Sequence, residues 1–122
     1  MKIYIAGQIT GLDYQEALRS FAAAEDALRK LGHEPVNPTK ENGLDVPGDT
    51  QPGKTHTWAD YMKKDIPLLL GCEAIYLLPN WPRSKGARLE KHIADALGML
   101  TLFEDEKTDP AKYCQFEFTA EI

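Results

Sequence analysis

Glu90 and Asp65 stand where helical spacing reserves places for apolar side chains. At about 100° per residue, a helix over Gly86–Leu97 gathers Leu89, Ile93, Gly86, Leu97, Ala94 and Ala87 on one arc. Lys85, Arg88, Lys91, His92 and Asp95 cover the other, and Glu90 falls in the middle of the apolar one. An earlier helix repeats the pattern: Trp58, Tyr61, Met62, Ile66 and Leu69 share an arc with Asp65 at its centre. Burying an ionised carboxylate costs several kcal/mol unless it is paired or hydrogen-bonded. Two carboxylates turned inward from two helices suit glycosidic-bond chemistry, one as nucleophile and the other as acid/base or sugar anchor. The competing reading is structural: a satisfied buried Glu or a bend that exposes it, and an Asp that accepts from a nearby N–H or hydroxyl. Glu90 also lies within two turns of the helix start, where the positive end of the dipole predicts an ionised carboxylate.

Other polar residues need less explanation. Asp60 sits on the polar face with Lys64 at i+4, which reads as a solvated pair. Glu25 falls inside the apolar arc of the first helix, but Arg29 at i+4 gives it a partner, so it reads as structural. Ser84-Lys85-Gly86 precedes the third long helix: Ser84 is either a plain N-cap or, with Gly86 and the helix N–H groups, part of a phosphate nest. Gly7-Gln8-Ile9-Thr10-Gly11 is not a GxGxxG, so the dinucleotide fingerprint is missing. Trp81 either stacks on a base or closes its loop over the core. His33, His56 and His92 have no metal-ligand spacing and no Ser or Cys partner, so neither a metal nor a Ser/His triad is expected.

The elements that must position these residues alternate. Lys2–Ala6 reads as a strand; Asp13 opens a helix with Glu16 completing a capping box, and Gly32 ends it. Residues 34–37 read as a brief second strand, and 38–56 as a long Gly/Pro/Asn-rich loop. Thr57 caps the helix that carries Asp65, with Pro67 expected to kink the helix or end it nearby. Ala74–Leu78 is a nearly unbroken apolar strand, 79–85 a loop, Gly86–Leu97 a helix and Leu100–Phe103 a fourth strand. Cys114, Phe116, Phe118, Ala120 and Ile122 alternate with polar residues, as in an edge strand or an arm on a partner subunit. Strand–helix alternation predicts an α/β three-layer sandwich with a mostly parallel sheet of four to five strands. Ligands in such folds sit beyond the carboxyl ends of the strands, where strand order reverses. That edge gathers Gly7–Gly11, the chain from Asn37 onward and Pro79–Gly86, with Gly7, Gln8, Ile9, Gly11, Asn80, Trp81, Ser84 and Gly86 as the candidate binding residues.

A chain of 122 residues supplies one domain, with 1–103 as its core and 104–122 as a tail. Fourteen basic against nineteen acidic residues, a formal charge of −5, argue against a nucleic-acid polymer as partner. No segment approaches the roughly 20 apolar residues of a membrane span, and Met1–Gly7 reads as a strand and not as a secretory signal. Cys72 and Cys114 read as reduced thiols of a cytoplasmic protein.

The runs MKIYIAGQITG at 1–11, LLLGCEAIYLLPNW after Asp65, and SKGARLEKHIADALG at 84–98 resemble the nucleoside 2-deoxyribosyltransferase superfamily. The likeness is to its small, often phage-borne branch, related to the 2′-deoxynucleoside 5′-phosphate N-hydrolases. It implies a flavodoxin-like fold, a homo-oligomer, no cofactor, and cleavage or transfer at the N-glycosidic bond of a nucleoside or its 5′-monophosphate. The family's covalent nucleophile falls on Glu90, its sugar- and base-site Asp on Asp65, and the Tyr that orients the nucleophile on Tyr4. Ser84, six positions before Glu90, matches the phosphate-binding Ser of the hydrolases. Those relatives carry Ser-Ile-Arg-Gly after the first strand where this chain has Gln8-Ile9-Thr10-Gly11, so that part of their phosphate recognition is not carried over. The alternative is a non-catalytic nucleotide sensor on the same scaffold.

Overall fold

The computed structural model describes residues 1–41 and 57–109. Four strands, β1 (Lys2–Ala6), β2 (Glu34–Val36), β3 (Ala74–Leu77) and β4 (Leu100–Phe103), form one parallel sheet in the order β2-β1-β3-β4. Period-2 alternation in β1 divides the core. Ile3 and Ile5 pack with Phe21, Ala24 and Leu28 of helix α1 (Tyr14–Lys30) on one face. Tyr4 and Ala6 face the other side, with Leu69 of helix α3 (Trp58–Leu70) and Ala87 and Ala94 of helix α4 (Lys85–Ala96). The result is the expected flavodoxin-like three-layer sandwich. Strand order reverses between β1 and β3, which places the ligand edge at the loops that follow them.

The helix boundaries follow local chemistry. Asp13 caps α1 by accepting from the Glu16 N–H at 3.3 Å. The reciprocal box, with both contacts, forms at α3: the Thr57 hydroxyl accepts from the Asp60 N–H, and Asp60 accepts from the Thr57 N–H. Asp60 is therefore a cap and not simply a surface partner of Lys64. At the far end of α1, Gly32 adopts φ +89°, which lets the His33 N–H return to the Leu28 carbonyl.

Pro67 stands inside α3, which stops three residues beyond it at Leu70, so the helix ends near the proline as expected. Pro67 is exposed and lies in the last turn, so the carbonyl it leaves unbonded belongs to exposed Lys63, where water can donate, while buried Leu69 holds the turn to the core. Residues Pro38–Glu41, read as the start of a loop, form a short helix, α2. Proline suits a first helical position, and the Lys40 and Glu41 N–H groups both return to the Asn37 carbonyl. The rest of the predicted loop, His56, and the alternating tail with Cys114 lie outside the described residues. Among the described residues, no helix is long and apolar enough to cross a membrane.

Candidate functional site

A cleft of about 830 Å³ opens at the predicted edge, between the loop after β1, helix α3 and the start of α4. Tyr4, Asp65 and Glu90 all line it, from three different elements. Tyr4 lies in the sheet between Val36 and Ile75 with its side chain toward α4. Its hydroxyl donates to Glu90 Oε2 at 2.5 Å. Glu90 is 5% exposed and Asp65 9% exposed, so both carboxylates are held back from water.

Burial dominates the electrostatics. It raises the Glu90 carboxyl to about 8, the negative charge of Asp65 adding to the effect and the Tyr4 hydrogen bond opposing it. Burial likewise pushes the Tyr4 phenol well above its ordinary value, with the charges of Glu90 and Asp65 acting in the same direction. Tyr4 is thus a permanent donor, and burial favours the protonated form of Glu90. That direction runs against the expectation of a carboxylate kept ionised by the helix dipole. Glu90 is the sixth residue of α4, beyond the first turn where the unpaired N–H groups concentrate the positive potential.

The inward Glu25 behaves differently. Burial opposes its ionisation, but hydrogen bonds from Asn37, Lys40 and Arg29 outweigh it and hold the carboxyl below its usual value. It is a structural anion on the side of α1, as its i+4 partner suggested.

Of the predicted binding residues, Gly7, Ile9, Gly11, Ser84 and Gly86 line the cleft. Ser84 caps α4 by accepting from the Ala87 N–H at 3.1 Å, which leaves its own hydroxyl proton to donate. Gly7 and Gly86 have packing reasons to be glycine. A β-carbon at Gly7 would lie 2.5 Å from Leu78 Cδ1, and one at Gly86 would lie 3.2 Å from Met62 Sδ and 3.5 Å from Trp58 Nε1. Glycine at 86 lets α3 and α4 approach to form the two walls.

Gln8, Asn80 and Trp81 are not brought to the cleft wall. The Gln8 N–H donates to Asn80 Oδ1 at 3.0 Å, tying the loop after β1 to the loop after β3. Trp81 is 0% exposed and packs on Phe103 at 6.1 Å between ring centroids. The base-stacking reading of Trp81 is thereby corrected: a short 3-10 turn over Trp81–Arg83 folds the indole under the loop and into the core. The wall also includes Trp58, Tyr61 and Met62 of α3, and Arg83 and Lys85, which the sequence reading did not assign to the site. Their signal was present. Once Asp65 faces a ligand, the residues three, four and seven positions before it on the same helix must face it too.

The fold is a flavodoxin-like α/β sandwich, and its cleft lies at the topological switch point of the sheet. Over residues 1–103 the sequence matches the family described as a domain of unknown function, DUF4406, and the chain belongs to that family. Among solved structures, it is similar to the 2-deoxyribosyltransferase of Bacillus psychrosaccharolyticus, with a TM-score of 0.60 and 24% identity over 84% of this chain and 71% of that one. The resemblance read in the sequence is met there at the level of the fold. No curated protein matches the sequence.

Proposed function

We propose that the protein cleaves or transfers at the N-glycosidic bond of a nucleoside or nucleoside 5′-monophosphate, with Glu90 as nucleophile. The observation that carries this reading is the Tyr4–Glu90 hydrogen bond at the wall of a cleft that Asp65 also lines. Similarity in fold to a 2-deoxyribosyltransferase adds support. In the reaction, a Glu90 carboxylate oxygen bonds to C1′ as the C1′–N bond breaks and its electron pair leaves with the base. Asp65 holds the sugar hydroxyl or passes a proton to the departing base. Water or a second base then takes the sugar from Glu90. Tyr4 donates to the oxygen that is not attacking and fixes the carboxyl plane. Ser84, Gly86 and the loop Gly7–Gly11 receive the 5′ end of the substrate.

Glu90 must lose its proton before it attacks, so turnover rises with pH through about 8. The same observation favours a second reading, nucleotide binding without turnover, in which the neutral acid is a hydrogen-bond donor to the ligand. Incubation with deoxy- and ribonucleosides and their 5′-monophosphates, followed by chromatography for released base, separates the two. Base released by the wild type and not by Glu90→Ala is the expected result. Tight binding of one compound with no base from any of them selects the sensor.

A further inference from the structure

Lys85 Nζ sits 4.2 Å from the centroid of the Trp58 ring, bridging the starts of α4 and α3 at the cleft wall. Trp58 is 38% exposed, in contrast to fully buried Trp81. A half-exposed indole on the wall of a small-molecule cleft offers a π face, and here a cation covers it. A planar ring stacked on that face needs a separation of about 3.5–4.0 Å, so the ammonium and the ring exclude one another. Among the described residues, the carboxylates that share the cleft with Lys85 are exposed Asp13, which caps α1, and the buried pair Asp65 and Glu90.

We infer that Trp58 is the platform on which the ligand's base stacks, and that Lys85 is a displaceable cover which moves from the indole to an anionic group of the same ligand. The inference rests on the nucleotide-directed reading of the cleft but not on its catalysis. It makes Trp58 and Lys85 the residues that discriminate a nucleoside 5′-monophosphate from the uncharged nucleoside. A nucleoside must displace Lys85 without compensation. A monophosphate displaces it and supplies a charge-assisted contact in its place.

The test is equilibrium binding of the four common deoxynucleosides and their 5′-monophosphates, by calorimetry and tryptophan emission, with base release followed in parallel. Both side chains are exposed, so substitution there spares the core, and Trp58→Tyr serves as the conservative control. For whichever base binds, Lys85→Ala is expected to tighten the nucleoside by about 2- to 5-fold and to weaken the monophosphate by about tenfold or more. Trp58→Ala weakens both and Trp58→Tyr restores them, while ligand quenches the emission of the wild type but not of Trp58→Phe. Base release with binding unchanged in Lys85→Ala and Trp58→Ala overturns the inference and leaves the glycosidic reading standing. Binding with the predicted swap but without base release does the reverse. Absence of binding by every probe overturns the inference.

Discussion

Tyr4 and Glu90, separated by 86 positions in sequence, meet through a 2.5 Å hydrogen bond because β1 points Tyr4 at the face of the sheet that α4 covers. The hydroxyl favours the ionised form of Glu90, while burial and Asp65 oppose it. Tyr4→Phe removes the donor without changing the shape of the wall. Glu90 then holds its proton more tightly, so the pH at which turnover rises moves above about 8. Loss of a hydrogen bond to a charged group predicts a fall in kcat/KM at pH 7 of about 10- to 100-fold. A pH–rate profile of Tyr4→Phe that overlays the wild type rules out this role for Tyr4.

The raised value of Glu90 has a consequence for stability that does not depend on any substrate. Below the unfolded-state value of 4.5, Glu90 is neutral in both states and its environment is satisfied. As pH rises from 4.5 to about 8 the unfolded chain sheds the proton while the folded one keeps it, and stability is lost progressively. Above that window the loss is complete, because the folded protein then holds a buried carboxylate. Glu90→Gln is neutral throughout, so its stability relative to wild type should grow across the window to a few kcal/mol in order of magnitude. Thermal unfolding of both proteins at pH 4, 7 and 9 checks this; a constant difference contradicts it.

The residues that break a pattern were the legible part of the site. Glu90 and Asp65 stood out because each interrupts an apolar helical arc, and both line the cleft. The four strands were legible because short apolar runs between helical periods leave little choice of element type, whereas their order and register came only with the structure. Trp81 and Asn80 were misread because sequence places a loop at an edge without saying which of its side chains fold under it. Trp58, Tyr61 and Met62 were read as core because an aromatic stripe looks the same whether it faces a sheet or a cavity. The protonation of Glu90 was not legible at all, since it depends on how deep the side chain lies in three dimensions.

Gly7 is where the loop after β1 crosses the end of β3. A methyl group there would meet Leu78 at 2.5 Å, closer than side chains approach one another. Leu78 is 1% exposed and packed on the α1 side of the sheet, so it has little room to yield. Gly7→Ala should destabilise the fold by about 1–3 kcal/mol. Leu78→Ala should be less costly in the Gly7→Ala background than alone, and a double-mutant cycle in urea measures that coupling.

Asn37 ties the end of β2 to α1 and α2. It is 1% exposed, accepts from the Thr39 N–H at 3.0 Å and hydroxyl at 2.6 Å, and donates to Glu25 Oε1 at 3.0 Å. Asn37→Ala removes all three contacts and should cost about 2–3 kcal/mol, read from the urea midpoint. Asn37→Asp keeps the acceptor but sets a second carboxylate against Glu25. Its deficit should be larger than that of Asn37→Ala at pH 7 and should shrink as pH falls and the carboxylates protonate.

The two tryptophans should separate cleanly in solution. Trp81 is fully buried against Phe103, and Trp58 is 38% exposed at the cleft. Trp58→Phe leaves an emission that is blue-shifted and resistant to acrylamide, and Trp81→Phe leaves one that acrylamide quenches. Removing the buried ring altogether, in Trp81→Ala, should cost about 3–5 kcal/mol, whereas Trp58→Ala, at an exposed position, should cost well under 2 kcal/mol. Ligand binding discriminates in the opposite sense: where Trp81→Phe folds, it should bind as the wild type does, because the cleft wall does not include that ring. A selective loss of ligand affinity in Trp81→Phe with stability unchanged would return Trp81 to the site and contradict its placement in the core.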